Sequence, residues 1–188
     1  MAGLDVSQDD VLVGTAAGAG VWFAPLGTDL PTDVATPLDP KFYTVGYVSD
    51  DGITIGSDVS QDDLFAWQSV SPIRSIVGSR TFTFEFTMVE TTKETLELYF
   101  DTTGTSTEDG ITIPVPDVPE AKRYCAVLEG KDGSKTTRLV WGSVTLSDAG
   151  EVNWKRTELM GWPVTMQVLA HPGNAVLLPP EPANQVAS

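Results

Sequence analysis

The sequence predicts a mainly β fold: an antiparallel β-sandwich or barrel with one flanking α-helix, a long inter-strand loop and extended terminal arms. Residues Arg80 to Glu90 alternate between apolar and polar side chains, which is the period-two pattern of a half-buried strand. Further apolar runs are separated by short turns rich in Gly and Asp, an arrangement typical of hairpins and therefore of antiparallel sheets. Only the stretch from Thr91 to Asp101 carries a helical pattern.

The 188 residues suit one domain with arms, since domains commonly contain roughly 100–200 residues. We predict an N-terminal arm over residues 1–10, a β domain over 11–171 and a C-terminal arm over 172–188. The start of the chain lacks the basic and apolar regions of a signal peptide, and no apolar run approaches the roughly 20 residues of a membrane span. We expect a soluble chain, made in the cytoplasm, with no membrane partner.

The first half of the β domain is predicted as short strands around two loops. Proline limits the strands because it lacks the amide hydrogen that a sheet requires, and Asp-Gly sequences favour turns. The predicted order is strand Gly20 to Ala24, loop Leu26 to Pro40, strand Phe42 to Ser49, turn Asp50-Asp51-Gly52, strand Ile53 to Ile55 and a long loop from Gly56 to Val70.

The strand from Arg80 to Glu90 and the helix after it are the clearest elements. Phe82, Phe84, Phe86 and Met88 share one face of the strand, and Glu85 lies on the other. The helix begins with a capping box, in which Thr91 is the N-cap and a glutamate follows three residues later. Beyond it we predict a short strand Ile111 to Ile113 and strands Arg123 to Glu129, Ser134 to Leu146 and Glu151 to Lys155. A final strand lies within Thr157 to His171, centred on Val164 to Leu169.

The charge is unusual, with 11 basic residues against 26 acidic ones and a net charge of −15. Residues 1–73 contain eleven acids and a single base, Lys41. In most acidic proteins the negative net charge serves solubility. A more specific interpretation is a surface that does not hold nucleic acid, because tight DNA binding needs Lys and Arg to displace counterions from phosphates.

The sequence predicts no catalytic residue, no cofactor and no metal centre. Its one cysteine, Cys125, is interpreted as a small buried hydrophobe, and its one histidine, His171, as a loop residue. One Cys and one His exclude the usual zinc sites. The acids Asp50-Asp51, or Asp58 with Asp62-Asp63, are oxygen ligands that Ca²⁺ accepts, but they lack the spacing of an EF-hand loop. Solvated acidic turns are the simpler interpretation.

The long loop is the candidate functional segment. Loops beyond about 12–15 residues are usually functional, and this one contains large apolar groups that either fold back onto their own domain or anchor in a neighbouring subunit. We favour the interface. Its candidate residues, with the two that follow the loop, are Asp58, Asp62, Asp63, Leu64, Phe65, Trp67, Ile73 and Arg74. The hexapeptide Asp5 to Asp10 recurs as Asp58 to Asp63, either by coincidence or as two similar surface turns.

Several segments, taken together, resemble a known family. The run Tyr47 to Ile55 is similar to the G-x-[IV]-S-[ED]-[DE]-G-[IV]-T motif of major tail tube proteins from long-tailed siphophages of actinobacteria. The resemblance covers roughly residues 14–170. It also rests on Gly20 to Thr28, Leu30 to Asp33, Ala66 to Ser69, Ile73-Arg74, Thr83 to Phe86 and Glu90-Thr91.

The resemblance implies a structural virion protein. Six copies would form a ring, rings would stack into a hollow tube, and the long loop would reach the adjacent ring. Double-stranded DNA would pass through without specific binding, and Asp50, Asp51 and Glu85 are candidates for acids that face it. The resemblance also implies tail terminator, tape measure and baseplate proteins as partners, with assembly in the host cytoplasm. Alternatives are a tail terminator, a capsid decoration protein or a tube protein of the type VI secretion kind.

Overall fold

The structure is a computed structural model that describes residues 15–133 and 135–179. Ten strands and one helix follow one another along the chain. They are β1 (Thr15–Pro25), β2 (Tyr43–Thr44), β3 (Val48–Leu64), β4 (Arg74–Met88), α1 (Lys93–Tyr99), β5 (Thr105–Thr107), β6 (Gly110–Thr112), β7 (Arg123–Asp132), β8 (Lys135–Ala149), β9 (Trp162–Val168) and β10 (Ala175–Leu177).

The strands form one antiparallel sheet that folds over onto itself. Its order is β2-β1-β7-β8-β9-β4-β3, with β10 paired to β8 and with β5 and β6 as a separate hairpin. Three strands separate β1 from β4 in this order, yet Phe23 of β1 stacks on Phe84 and Phe86 of β4, with ring centroids 6.4 and 6.2 Å apart. The two ends of the sheet therefore enclose one core, which confirms the predicted mainly β, sandwich or barrel architecture.

The alternation of apolar and polar residues in β4 gives the strand one buried face and one more exposed face, as predicted. Phe84, Phe86 and Met88 are buried and Glu85 is exposed. The neighbouring strand β9 repeats the pattern, because Val164 and Met166 are buried between half-buried residues. These inward side chains form the core with the buried residues Val21, Phe23, Val45, Leu98, Tyr124, Ala126, Leu128, Trp141, Val144, Trp162 and Val168.

The helix covers one end of the core. Its N-cap is Thr92, whose side chain accepts a hydrogen bond from the backbone N–H of Thr95 (3.2 Å). The predicted cap, Thr91, is therefore one residue too early; its hydroxyl instead accepts a hydrogen bond from Nε1 of Trp162 (3.1 Å). Tyr99 packs edge-on against the ring of Trp162, and burial raises the pKa of this tyrosine, with a further contribution from the charge of an aspartate on β8.

The predicted long loop from Gly56 to Val70 is wrong as far as Leu64, because the chain continues there as a strand; residues 65–70 lie in a turn. β3 runs to Leu64 and β4 begins at Arg74, and the two strands pair over this length with one irregularity between Ser60 and Gln61. The predicted turn at Asp50-Asp51-Gly52 lies inside β3 as an irregularity in the register. Gly52 allows it, since its φ of +76° is a conformation that side chains disfavour.

Three other boundaries differ from the prediction. The strand expected from Phe42 to Ser49 is interrupted at Gly46, whose φ is +78°. The strand expected from Glu151 to Lys155 is absent, because β8 continues to Ala149 and the chain then runs irregularly to β9. Within the expected C-terminal arm, Ala175–Leu177 pairs with β8 as β10. The expected N-terminal arm lies outside the described residues.

We predict that Phe23→Ala destabilises the domain by about 3–5 kcal/mol, because it empties the centre of the aromatic stack. Denaturant unfolding followed by tryptophan fluorescence measures the change. The matched control is Tyr47→Ala, which removes a ring that is 77% exposed and should change the free energy of unfolding by less than about 0.5 kcal/mol. Equal losses in the two variants would contradict the assignment of the core.

Candidate assembly surfaces

The most prominent surface feature is a two-stranded ribbon that projects from the body. β9 pairs with β4 only from Phe82 to Met88, so the earlier residues of β4 pair with β3 alone. We call residues 57–80 the hairpin arm. Apart from Ala66 and Ser69, every residue of the arm is exposed. The arm therefore contributes little to the core and leaves its side chains free for other contacts.

Local interactions position the arm at its base. Nε of Arg80 donates a hydrogen bond to Oγ of Ser57 on the opposite strand (3.0 Å). The guanidinium of Arg80 also lies 4.4 Å from the ring centroid of Phe82, a cation–π contact at the point where the arm meets the body. The position of Arg80 is thus determined by both the arm and the first core-facing aromatic residue of β4.

The tip of the arm, residues 65–73, is a closed turn. The backbone N–H of Ile73 donates to the carbonyl of Leu64 (2.9 Å), and the N–H of Ser69 donates to the carbonyl of Ala66 (3.0 Å). This turn presents large apolar side chains to solvent. The exposed fractions are 100% for Trp67, 99% for Val70, 66% for Ile73 and 61% for Phe65.

The structure brings all eight predicted interface residues onto this one element. Asp58, Asp62, Asp63 and Leu64 lie on the β3 side of the arm, opposite Thr81, Ile76, Ser75 and Arg74. Phe65, Trp67 and Ile73 form the tip with Val70. The sequence analysis missed the exposure of Val70, Ile76 and Val77, for which the only available signal was a β-branched run in a polar context.

The second copy of the repeated hexapeptide, Asp58 to Asp63, is a β-strand and not a surface turn. The first copy lies outside the described part of the chain.

The three predicted lumen acids lie near one another on the outer side of the sheet. Asp51 and Glu85 line a shallow depression of about 290 Å³, together with Asp148 of β8. Glu85 stands in register between Thr54 of β3 and Thr165 of β9. No Lys or Arg lines this depression, so this part of the sheet carries negative charge only.

A larger groove of about 690 Å³ lies beside that depression. Four acids line it, Asp50, Asp51, Glu151 and Glu158, and Leu159 adds an apolar side chain that is 83% exposed. The groove is formed by the start of β3 and by the irregular segment between β8 and β9. Sequence analysis missed it, because it assigned part of that segment to a strand.

Residues 15–133 and 135–179 contain no group of three His, Cys, Asp or Glu side chains placed to hold a metal ion. Cys125 is buried and its thiol donates to the carbonyl of Gly142 (3.4 Å), as expected of a small core residue. Nδ1 of His171 accepts a hydrogen bond from the N–H of Gly173 (3.0 Å) in the turn before β10. No helix in the described residues is long and apolar enough to cross a membrane.

Comparisons with known proteins were made for the whole chain. No curated protein sequence matches it significantly. Among solved structures, a chain from the virion of a native gene transfer agent particle is 8% identical with a TM-score of 0.45, and a chain from the tail of an empty gene transfer agent particle, refined with C6 symmetry, is 10% identical with a TM-score of 0.47. Each match covers 89% of this chain and 100% of the other.

The family model described as phage tail tube protein matches residues 6–178, which is nearly the whole chain. The mainly β fold agrees with the resemblance that the sequence shows to such proteins. The chain therefore belongs to the phage tail tube protein family, and it is a structural component of the virion tail rather than an enzyme.

Proposed function

We propose that this chain forms hexameric rings that stack into a hollow tube, and that the hairpin arm joins each ring to the next. The single observation that supports the stacking role most directly is the tip of the arm, where four large apolar side chains are exposed on an ordered turn. Hydrophobic groups clustered in this way on a projecting element are typical of protein–protein contacts. The number six comes from the resemblance to major tail tube proteins.

The energetics favour use of the tip in a multivalent contact. Full burial of one such side chain contributes about 1.5–3 kcal/mol, so Phe65, Trp67, Val70 and Ile73 together contribute on the order of 6–12 kcal/mol per subunit. Association of two bodies costs on the order of 4–15 kcal/mol in lost freedom. A ring loses that freedom once but engages six arms, so ring-on-ring stacking is favoured over association of single subunits.

The position of the tip also fits a tube. The tip is at the end of the ribbon that lies away from the body. A neighbour that receives it elsewhere on its own surface makes a heterologous contact, which builds a filament where the rotation between copies does not close. Sideways contacts within a ring close by rotation. A tube needs both kinds, and a body with one projecting arm offers separate surfaces for them.

The acidic outer side of the sheet is proposed as the wall of the lumen. Asp51, Glu85 and Asp148 occupy it without a cation among the lining residues. Duplex DNA carries about one negative charge per 1.7 Å of axis, so this wall repels it and leaves it free to slide. In this proposal Asp50 lies at the end of the wall, and tail terminator, tape measure and baseplate proteins contact the tube at its ends and inside it.

We predict that removal of the arm abolishes tubes without unfolding the body. Deleting Ser60 to Ser79 and joining Val59 to Arg80 through Asn-Gly replaces the arm with a two-residue hairpin turn. Deleting only Asp58 to Val70, as the sequence alone would suggest, would leave half of the ribbon unpaired. The free energy of unfolding should change by less than about 1 kcal/mol, because the removed side chains are exposed.

Negative-stain microscopy at matched protein concentration measures the tubes. Ile111→Ser, on the separate β5–β6 hairpin, removes an exposed apolar group elsewhere and serves as the control that keeps them. Long tubes from the shortened variant would overturn the role of the arm. A wild-type protein that forms only single capped rings or trimers would favour a terminator or a decoration protein.

We also predict that reversing the charge of the proposed lumen makes tubes bind DNA. Glu85→Lys with Asp148→Lys adds cations where DNA would pass and leaves the neighbouring groove untouched. Glu108→Lys with Asp109→Lys makes the same charge change at the turn between β5 and β6. The lumen variant should bind short duplex DNA with an affinity that falls steeply with salt. Wild-type tubes should not bind. Equal binding by the two variants would place Glu85 and Asp148 outside the lumen.

A further inference from the structure

We propose that the acidic groove between the start of β3 and the segment before β9 is the receptor for the hairpin tip of a second copy of this chain. We call it the receptor groove; it is lined by Val48–Asp51, Thr87, Val89, Glu151, Asn153, Glu158, Leu159, Gly161 and Pro163. The inference rests on the proposed stacking through the arm and adds the surface that the arm engages.

The tip and the receptor groove lie at opposite ends of the same strand. The tip precedes Arg74, where β4 begins, and the groove lies beside Thr87, near its end. A strand of 15 residues is about 47 Å long. A subunit therefore cannot insert its own tip into its own groove, and a contact between these two surfaces joins two copies head to tail.

The charges of the two surfaces are complementary. Asp50, Asp51 and Glu151 of the groove form no ion pair among the described residues, while Glu158 pairs with Lys155 (2.9 Å). Arg74 is the one cation next to the tip, and it also forms no ion pair in the described part of the chain. Insertion of the tip would place the guanidinium of Arg74 among these unpaired carboxylates. Its planar set of N–H donors suits hydrogen bonding to carboxylate oxygens.

The groove is also large enough for a side chain and offers apolar groups. The groove volume of about 690 Å³ lies within the range of about 300–1,000 Å³ that is typical of natural binding pockets. Leu159 presents an exposed apolar side chain at the groove, and Val48 and Val89 line it. These groups offer an apolar surface for Trp67 and Ile73 of the inserted tip, around the contact between Arg74 and the carboxylates.

The chain's own ends are not the favoured occupant. Thr15, where the description of β1 begins, pairs with Lys131 at the turn end of β7, and Leu177 of β10 pairs with Arg138 in the first half of β8. Both positions lie at the end of the sheet from which the arm projects. A second copy brings its tip to the groove without any part of the chain having to cross the sheet.

Charge exchange tests the contact. Arg74→Glu should raise the concentration needed for tubes at least tenfold, and Asp50→Lys with Glu151→Lys should do the same, because each puts like charges together. Combining all three substitutions should restore assembly to within about threefold of wild type. The control combines Arg74→Glu with Glu108→Lys and Asp109→Lys, which restores the net charge away from the groove and should not rescue assembly.

Cross-linking separates failure of this inference from failure of stacking itself. Gln68→Cys on the tip and Asn153→Cys in the groove should form disulfides between chains when assembled tubes are oxidised, and Cys125 does not interfere because it is buried. Gln68→Cys with Ile111→Cys is the control that should not cross-link. Tubes that form without groove cross-links and without charge rescue would overturn the groove and leave stacking intact; absence of wild-type tubes would overturn both.

Discussion

Closure of the sheet by aromatic stacking is the interaction on which the rest of the structure depends. Phe23 at one side of the sheet meets Phe84 and Phe86 at the other and also packs edge-on against Tyr124. Without this contact the sheet would be open and its inner face would be exposed to solvent. With it, the seven residues of β4 that pair with β9 belong to the body. The residues of β4 that precede Phe82 lie outside the core.

That division gives the protein two parts with different stability. The body has a continuous core, whereas the arm is a two-stranded ribbon whose side chains are nearly all exposed. Isolated two-stranded ribbons are marginally stable in water. Arg80, which contacts both Ser57 and Phe82, fixes the arm to the body at its base, but the apolar side chains of the tip are exposed. In the proposed stacking contact these side chains become buried, so assembly would stabilise the arm.

Sequence predicted the elements that have a buried face and failed where that face is missing. Arg80 to Glu90 alternates because one side of the strand contacts the core, so its inward residues could be named in advance. Asp58 to Leu64 is equally a strand, but both of its faces are exposed to solvent, so polar residues fill it without a period and the sequence predicts a loop. The candidate interface residues could still be named, since Phe65 and Trp67 are conspicuous in any polar segment. The groove could not be identified, because β3, β4 and the segment before β9 meet there only after folding.

The same exposure explains the acidity of the arm. β3 is an edge strand of the sheet, and no other strand of the described residues pairs with the outer edge of its 17 residues. Long free edges promote uncontrolled pairing with other chains, and charged side chains along the edge suppress it. Asp58, Asp62 and Asp63 supply such charges, and like charges on every copy disfavour arm-to-arm pairing between subunits. Arg74 lies at the far end of this row, next to the apolar tip. Arg74 thus places an attractive charge where a specific partner is proposed, and in that proposal the charge pattern that opposes random association also directs the ordered one.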